Sequence, residues 1–506
     1  MANSPLAVSV HILDDDSLLN VFHLYRPFLL GEDGDEDARF GGGMDGWNRG
    51  RWWYKLSHVC QRWRRVILGS ASYLGVSLVC TKGTPVADML AHSPPLPLLI
   101  DYRNGNGDIA AEDEEGAILA LKHYNRVRRV RLGMAVASLQ KLIVAMDDEY
   151  PALEYLIIGL PRDDHSSIYQ FPETLQAPNL RHLTLDALPI GSRLLTTSVG
   201  LVTLCLCMDH PSTYFHPNSL LQCLSSMPQL ETLFVFFSFP VPNRDIQRQL
   251  THTPITTPIT LPNLHYFDFT GVETYLEALV YRITASRLEK LRIGFFNQLA
   301  FSVSRLLQFV NATVNLTFKS AKFWFSDKNV VVHVYPHEEA EMYALSVGVI
   351  CWHLDWQVSS VAQIFNSLSP VFSAVEHLTF ELEVHSQSSA EHDEADRTKW
   401  RQLLGSFRNV KTLRIAEGLV EEMSRCLELD DGELPLELLP ELQELTYFGS
   451  SNIGEAFTSF IGARQDAGRP LTLVRRSPSP DRSSSVLPEP PLIPPANNEA
   501  GSVLDT

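Results

Sequence analysis

The chain has no uninterrupted apolar run of the roughly 18 residues a membrane-crossing helix needs, although nearly half of its 506 residues are hydrophobic. Met1 to Val10 lack a basic stretch followed by a long apolar one, so a secretory signal is not expected. Cysteine is scarce and odd in number: Cys60, Cys80, Cys205, Cys207, Cys223, Cys351 and Cys426. Only Cys205 and Cys207 lie close together, and no second pair completes a tetrahedral zinc set. Free thiols in a reducing compartment, cytoplasm or nucleus, are therefore expected. Basic residues are outnumbered, 41 against 59 acidic, which gives a formal net charge of −18. That field repels phosphate backbones, so neither a nucleic-acid nor a membrane partner is expected.

Catalytic patterns are lacking as well. Gly105-x-Gly107 has no third glycine and no Lys-Ser/Thr to cradle a phosphate. His337-Glu338-Glu339 lacks the second histidine of a zinc-protease helix, and no Gly-x-Ser-x-Gly elbow occurs. His182, His265 and His377 recur beside similar motifs and read as strand-face residues, while Asp163-Asp164 reads as a solvated pair. The expectation is a non-enzymatic protein with no cofactor and no metal.

What the chain does have is a repeat. From about residue 125 a Leu-x-x-Leu-x-Leu unit recurs, often preceded by proline. It appears as Val127-Val130-Leu132, Leu153-Leu156-Ile158, Leu180-Leu183-Leu185, Leu201-Leu204-Leu206, Leu230-Leu233-Val235, Leu264-Phe267-Phe269 and Leu288-Leu291-Ile293. It returns as Val375-Leu378-Phe380, Val410-Leu413-Ile415 and Leu442-Leu445-Tyr447. The steps between first positions include 27 (153 to 180), 29 (201 to 230), 24 (264 to 288) and 32 (410 to 442), close to or slightly beyond the roughly 20–29 residues of leucine-rich repeats. The last two apolar positions alternate as in a strand with one face buried, and the first packs beneath the start of that strand.

Between these units, apolar residues recur at helical spacing, as in Leu220-Leu221-Leu224, Leu306-Leu307-Val310 and Val420-Met423-Leu427. One strand and one helix per unit predict an α/β leucine-rich-repeat-like solenoid, a curved parallel sheet backed by helices. Residues 294–374, rich in β-branched and aromatic side chains, read as further irregular repeats with an inserted hairpin. Residues alternating with the inward ones, namely Thr184, Phe234, Asp268, Arg292, Thr379 and Arg414, are expected to line the exposed sheet face and meet a partner.

The N-terminal part differs. Asp14 to Asp16 supply a cap and first-turn carboxylates for a helix whose Leu18, Val21, Phe22 and Tyr25 share a face. Residues 31–50 are rich in Gly, Asp and Glu and read as disordered. Helical spacing resumes at Trp52, Leu56, Val59, Cys60 and Trp63. Ser72 to Val79 looks extended, Pro94 to Tyr102 looks like a turn feeding a short strand, and Asn104 to Gly116 reads as an acidic loop. The expected organisation is a helical domain over 1–70, a linker or capping region over 71–124, the repeats over 125–474, and a disordered Pro/Ser-rich tail over 475–506. In that tail Ser477 and Ser479 each precede proline, the context of proline-directed phosphorylation.

Ile12 to Leu24, with its Val21-Phe22 pair, followed by Leu56-Ser57-His58-Val59-Cys60-Gln61-Arg62-Trp63-Arg64, resembles an F-box, as in fungal members that carry irregular leucine-rich repeats. The family closes on Val-Cys-x-x-Trp-Arg, matched here by Val59 to Arg64. Its opening Leu-Pro is not matched, since Asp14 follows Leu13, and the acidic stretch 31–50 splits the motif. The resemblance covers about residues 9–102. It implies docking onto the SKP-type adaptor of a cullin-RING ubiquitin ligase, with the repeats presenting a substrate protein. By match, Leu13, Leu18, Leu19, Phe22, Leu24, Val59, Cys60 and Trp63 would form the adaptor contact and a small helical core. The other reading of the same residues is a helical cap on a repeat scaffold with no ligase link, since repeat stacks need capping.

Overall fold

The computed structural model describes residues 13–26, 51–103, 109–159, 172, 174–188, 192–208, 213–238, 258–298, 300–382, 397–428, 437–448 and 457–476. The expectations for 31–50, Gly105-x-Gly107, Asp163-Asp164, Ser477 and Ser479 lie outside these residues. The chain divides into two compact units, Met1–Val235 with Ile259–Leu264, and Phe236–Pro258 with His265–Thr506.

The first unit opens with helices α1 (Asp15–Tyr25), α2 (Trp52–Ser57), α3 (Gln61–Gly69) and α4 (Ala71–Leu74). Strands β1 (Leu78–Thr81), β2 (Leu98–Arg103), β3 (Val127–Gly133), β4 (Tyr155–Gly159), β5 (His182–Asp186), β6 (Thr203–Met208) and β7 (Thr232–Phe237) follow, β7 reaching the boundary between the units. Their spatial order is the chain order, and the pairings from β1 to β6 are all parallel. Helices α5 (Val86–His92), α6 (Ala111–Leu121), α7 (Val136–Val144), α8 (Ser192–Thr197) and α9 (Pro217–Leu224) connect them.

Parallel pairing begins at Leu78, so residues 71–124, read from sequence as a linker or cap, carry two strands of the sheet. Two local readings also shift. Ser72 lies in α4 rather than in an extended segment, and Ala111 onward is helical, with Glu112, Asp113 and Glu114 in the first turn. Carboxylates there complement the helix dipole, which an acidic stretch alone does not reveal.

The second unit holds β8 (Tyr266–Gly271), β9 (Lys290–Phe296), β10 (Ser320–Phe325), β11 (Asn329–Tyr335), β12 (Leu345–Ile350), β13 (His377–Leu382), β14 (Thr412–Ile415), β15 (Glu444–Phe448) and β16 (Thr472–Arg476). Helices α10 (Glu273–Val280), α11 (Ser304–Ala312), α12 (Leu354–Ser367), α13 (Ser369–Phe372), α14 (Arg397–Leu404), α15 (Val420–Leu427) and α16 (Thr458–Asp466) lie between them. The strand order is β8-β9-β12-β11-β10-β13-β14-β15-β16. All pairings are parallel except that β11 runs antiparallel to both neighbours. The uniform parallel array expected for every unit is thus broken once, by a hairpin excursion that the β-branched stretch 294–374 carries. Arg475 and Arg476, assigned from sequence to the tail, belong to β16.

The repeat chemistry is regular in both units. Leu153, Leu180, Leu201, Leu230, Leu264, Leu288, Val375 and Leu442 are each buried, and each backbone N–H donates to the carbonyl three residues earlier. That turn sits just before the strand. Proline occupies its second position at Pro151, Pro178, Pro228, Pro262 and Pro440, where a fixed φ suits the turn. Asparagine often takes the third position and ties one repeat to the previous one. The side-chain amide of Asn179 donates to Pro151 O at 2.7 Å, Asn263 to Pro228 O at 3.1 Å, Asn315 to Ser286 O at 3.4 Å and Asn409 to Ser373 O at 2.6 Å.

Within each repeat the second and third apolar residues face the helices and are essentially inaccessible, as Leu183, Leu185, Leu413 and Ile415 show. Each such side chain contributes about 1.5–3 kcal/mol relative to exposure. In the second unit aromatics do much of the filling: Phe323 stacks on Phe380 at 4.8 Å and Phe365 on Phe372 at 4.7 Å.

Candidate functional site

Two surfaces carry the residues singled out from sequence: the N-terminal helices and the outward face of the sheet.

Helix α1 is capped by Asp14, whose Oδ1 accepts from the Ser17 N–H. That backbone bond, with the Ser17 hydroxyl adding to it, holds the Asp14 carboxyl below the usual carboxylate range. The continuous helical face expected from Trp52 to Trp63 does not form. Helix α2 ends at Ser57, and Cys60 is extended (φ −161°, ψ 168°), its Sγ accepting from the Trp63 N–H at 3.5 Å as the cap of α3. Within α2 it is Trp53 rather than Trp52 that is buried. Trp53 Nε1 donates to Ser77 O at 3.1 Å, fastening the helices to the chain entering β1. Arg51 adds bonds to Thr84 Oγ1 at 2.9 Å and Val79 O at 3.3 Å.

Both halves of the split motif meet. Phe22 and Trp63 pack edge to face with centroids 4.9 Å apart. Arg62 bridges back to Asp15 at 2.8 Å and donates to Leu13 O. Arg26, just after α1, lies over Gly75: a Cβ at that position would sit 3.3 Å from the guanidinium carbon, and the backbone there is left-handed (φ 63°). Glycine suits that position on both counts.

The eight residues named for this segment sort into three groups. Leu18 and Phe22 are core, each 1% exposed, while Leu13, Leu19, Cys60 and Trp63 are half-buried. Leu24 and Val59 are exposed at 83% and 59%, joined by Val21, Tyr25 and Tyr73. A folded, internally anchored helical unit therefore displays large apolar side chains to solvent.

On the sheet, Thr184, Phe234, Asp268, Arg292, Thr379 and Arg414 all alternate with buried neighbours and are half-buried. In the second unit Asp268 and Arg292 are register partners with a 3.7 Å ion pair. Thr379 and Arg414 are likewise partners on β13 and β14. The chain between β11 and β12 brings Glu338 to Arg414 at 2.7 Å and to His377 Nδ1 at 3.7 Å. The same connection places Tyr343 against His333, centroids 4.7 Å apart, with Lys290 Nζ 4.4 Å from its ring centre. Of the six, Asp268 and Arg292 are thus engaged with each other, and Arg414 with a loop that the leucine pattern does not mark.

The cysteines are unbridged. Burial raises the Cys80 thiol to about 12 and that of Cys426 to about 12, so neither offers a thiolate nucleophile near neutral pH. Among the described residues no group of three or more His, Cys, Asp or Glu is placed to hold a metal. Also among them, no helix is long and apolar enough to cross a membrane.

No family model matches the chain, and no curated protein matches it. Among solved structures, the leucine-rich repeat-containing protein LegL7 from Legionella pneumophila aligns with 66% of this chain and 98% of its own at 12% identity, with a TM-score of 0.26. The fold assignment rests on the chain's own features: one parallel strand per Leu-x-x-Leu-x-Leu unit, helices between the strands, and asparagine bonds linking successive turns. These make the chain a leucine-rich-repeat-like α/β stack.

Proposed function

We propose that the chain is a non-enzymatic substrate-recognition adaptor, its N-terminal helices docking the SKP-type adaptor of a cullin-RING ubiquitin ligase and its repeats holding a target protein. The observation that carries this reading is the exposed set Val21, Leu24, Tyr25 and Val59, on helices already closed by Phe22 and Trp63. Large apolar side chains left in water on a folded segment support a protein contact there, and binding energy concentrates in such anchors. The test is co-purification: the full chain expressed with the adaptor should elute as a stoichiometric complex, and separate elution at micromolar concentrations would refute the docking.

A second reading has its own support. Trp53 and Arg51 tie the helices to the first strand, where a repeat stack needs a cap. On this reading the chain is an interaction scaffold without a ligase link. The two differ in one respect: a cap alone gives Leu24 and Val59 no function.

A further inference from the structure

Arg131 lies on the outward face of β3, yet only 8% of its surface is exposed. Its register partners are Asp101 on β2 and Ile157 on β4. Asp101 is bonded by Arg103, whose Nε donates to Oδ1 at 3.2 Å. Arg131 Nε is sealed from solvent with no acceptor. Among the described residues no hydrogen bond or ion pair engages the Arg131 side chain. A sealed guanidinium N–H left in this state destabilises the fold that holds it.

Arg464, whose Nε is likewise sealed without an acceptor, satisfies its two terminal nitrogens. Arg464, with no exposed surface, donates to Leu439 O at 3.1 Å, Pro440 O at 3.2 Å and Leu442 O at 2.9 Å. Arg464 staples a turn; among the described residues Arg131 staples nothing.

Its surroundings are cationic in a chain of net charge −18. Arg103 is on the neighbouring strand, and Arg129, two residues earlier on the same face, lies 5.8 Å from the centre of the Tyr155 ring. In the next register row Gly133 pairs with Gly159, so two adjacent strands carry no side chain there. A Cβ on Gly133 would meet only Arg103 Cγ at 3.5 Å and Gly159 O at 3.9 Å. Asp186 on β5 bounds this gap at Gly159.

We propose that this face of β2–β4 is an anion-binding site, in which Arg131, flanked by Arg103 and Arg129, takes a carboxylate or phosphate group of a polypeptide ligand over the Gly133–Gly159 gap. A guanidinium holds either oxyanion through two parallel hydrogen bonds, and it does so best where water is excluded. The site deepens the reading of the sheet as the target-holding surface but needs no contribution from the N-terminal helices. Burial, with the repulsion of Arg103 behind it, already lowers the proton affinity of Arg131, while Asp101 opposes this. An arriving anion opposes both effects, because a nearby negative charge favours the charged guanidinium.

The experiment measures thermal unfolding of the full chain with sodium phosphate, and separately with sodium acetate, against sodium chloride at matched ionic strength. The wild type should show a saturable rise in Tm with at least one of the two anions; phosphate alone marks a phosphorylated ligand, and acetate a carboxylate one. Arg131→Met should melt at or above the wild type without anion and lose the rise. Gly133→Val, which fills the gap and keeps all three arginines, should weaken the anion response at least tenfold. It covers the case in which Arg131→Met fails to fold. Absence of a saturable rise in the wild type, or an undiminished rise in either folded variant, overturns the site. Adaptor co-purification of the same variants stays intact either way, so failure here and failure of the docking are separable.

Discussion

Phe22 and Trp63, 41 positions apart in the chain, meet edge to face at 4.9 Å. That contact rejoins the two halves of a motif split by the acidic stretch. It also determines which neighbours remain outside: with Phe22 turned inward, Leu24 points away from the core at 83% exposure.

Removing the ring tests this small core. Phe22→Ala should cost about 3–5 kcal/mol, the usual range for truncating a buried aromatic. The loss should fall on the helical segment. Hydrogen exchange followed by mass spectrometry should show faster exchange in 15–25 and 61–69, with β13 and β14 unchanged.

Asparagine bonds between repeats should matter in both units by similar amounts. Asn179→Ala and Asn409→Ala each remove one amide-to-carbonyl bond, of 2.7 Å and 2.6 Å. Each should lower stability by about 0.5–1.5 kcal/mol. The urea midpoint should shift without a change in slope.

Much of the stack was legible because a strand with one buried face must alternate, and Leu-x-x-Leu-x-Leu does so at a fixed step. Strand β2 reads from sequence as a short strand after a turn, but neither it nor β1 counts there in the stack, because Val76 to Cys80 and Leu96 to Ile100 bury the same kind of residue without the repeat's spacing. A hairpin is expected within 294–374, but which strand reverses was not legible. Val330, Val332 and Val334 alternate like any other strand, and period two says nothing about which way β11 runs. In the helical segment the break at Cys60 was not legible, and the buried indole is Trp53 rather than Trp52. The Arg131 site was invisible from sequence. Val-Arg-Arg-Val-Arg-Leu reads as a strand with a solvated basic edge, and only its neighbours in the sheet bury Arg131.

Acid should reveal a surface network in the second unit. Glu376 accepts from Lys411 at 2.7 Å and Lys319 at 2.9 Å, and these two bonds hold its carboxyl at about 2 rather than 4.5. A carboxylate lowered on folding contributes stability that is present above its unfolded value and lost as pH falls through its folded one. The contribution should be complete above about pH 4.5 and decline toward pH 2. A carboxyl NMR titration should give Glu376 a midpoint near 2, returning toward 4.5 in the Lys319→Met/Lys411→Met chain.

Thiol chemistry separates folded from unfolded chain. Burial raises Cys80 and Cys426 to about 12, so iodoacetamide at pH 8 should leave both unmodified in the native protein. In urea both should react fully, as peptide mass mapping would report.

Docking through the helical segment is tested most directly with Leu24→Asp combined with Val59→Asp. Both side chains are exposed, so the double variant should keep the melting temperature and circular dichroism of the parent. Placing two carboxylates in an apolar contact costs several kcal/mol in desolvation. Binding of the purified SKP-type adaptor, measured by isothermal titration calorimetry, should therefore weaken at least a hundredfold. A folded double variant that binds the adaptor as tightly as the parent would contradict the docking surface and leave the helices as a cap on the repeats.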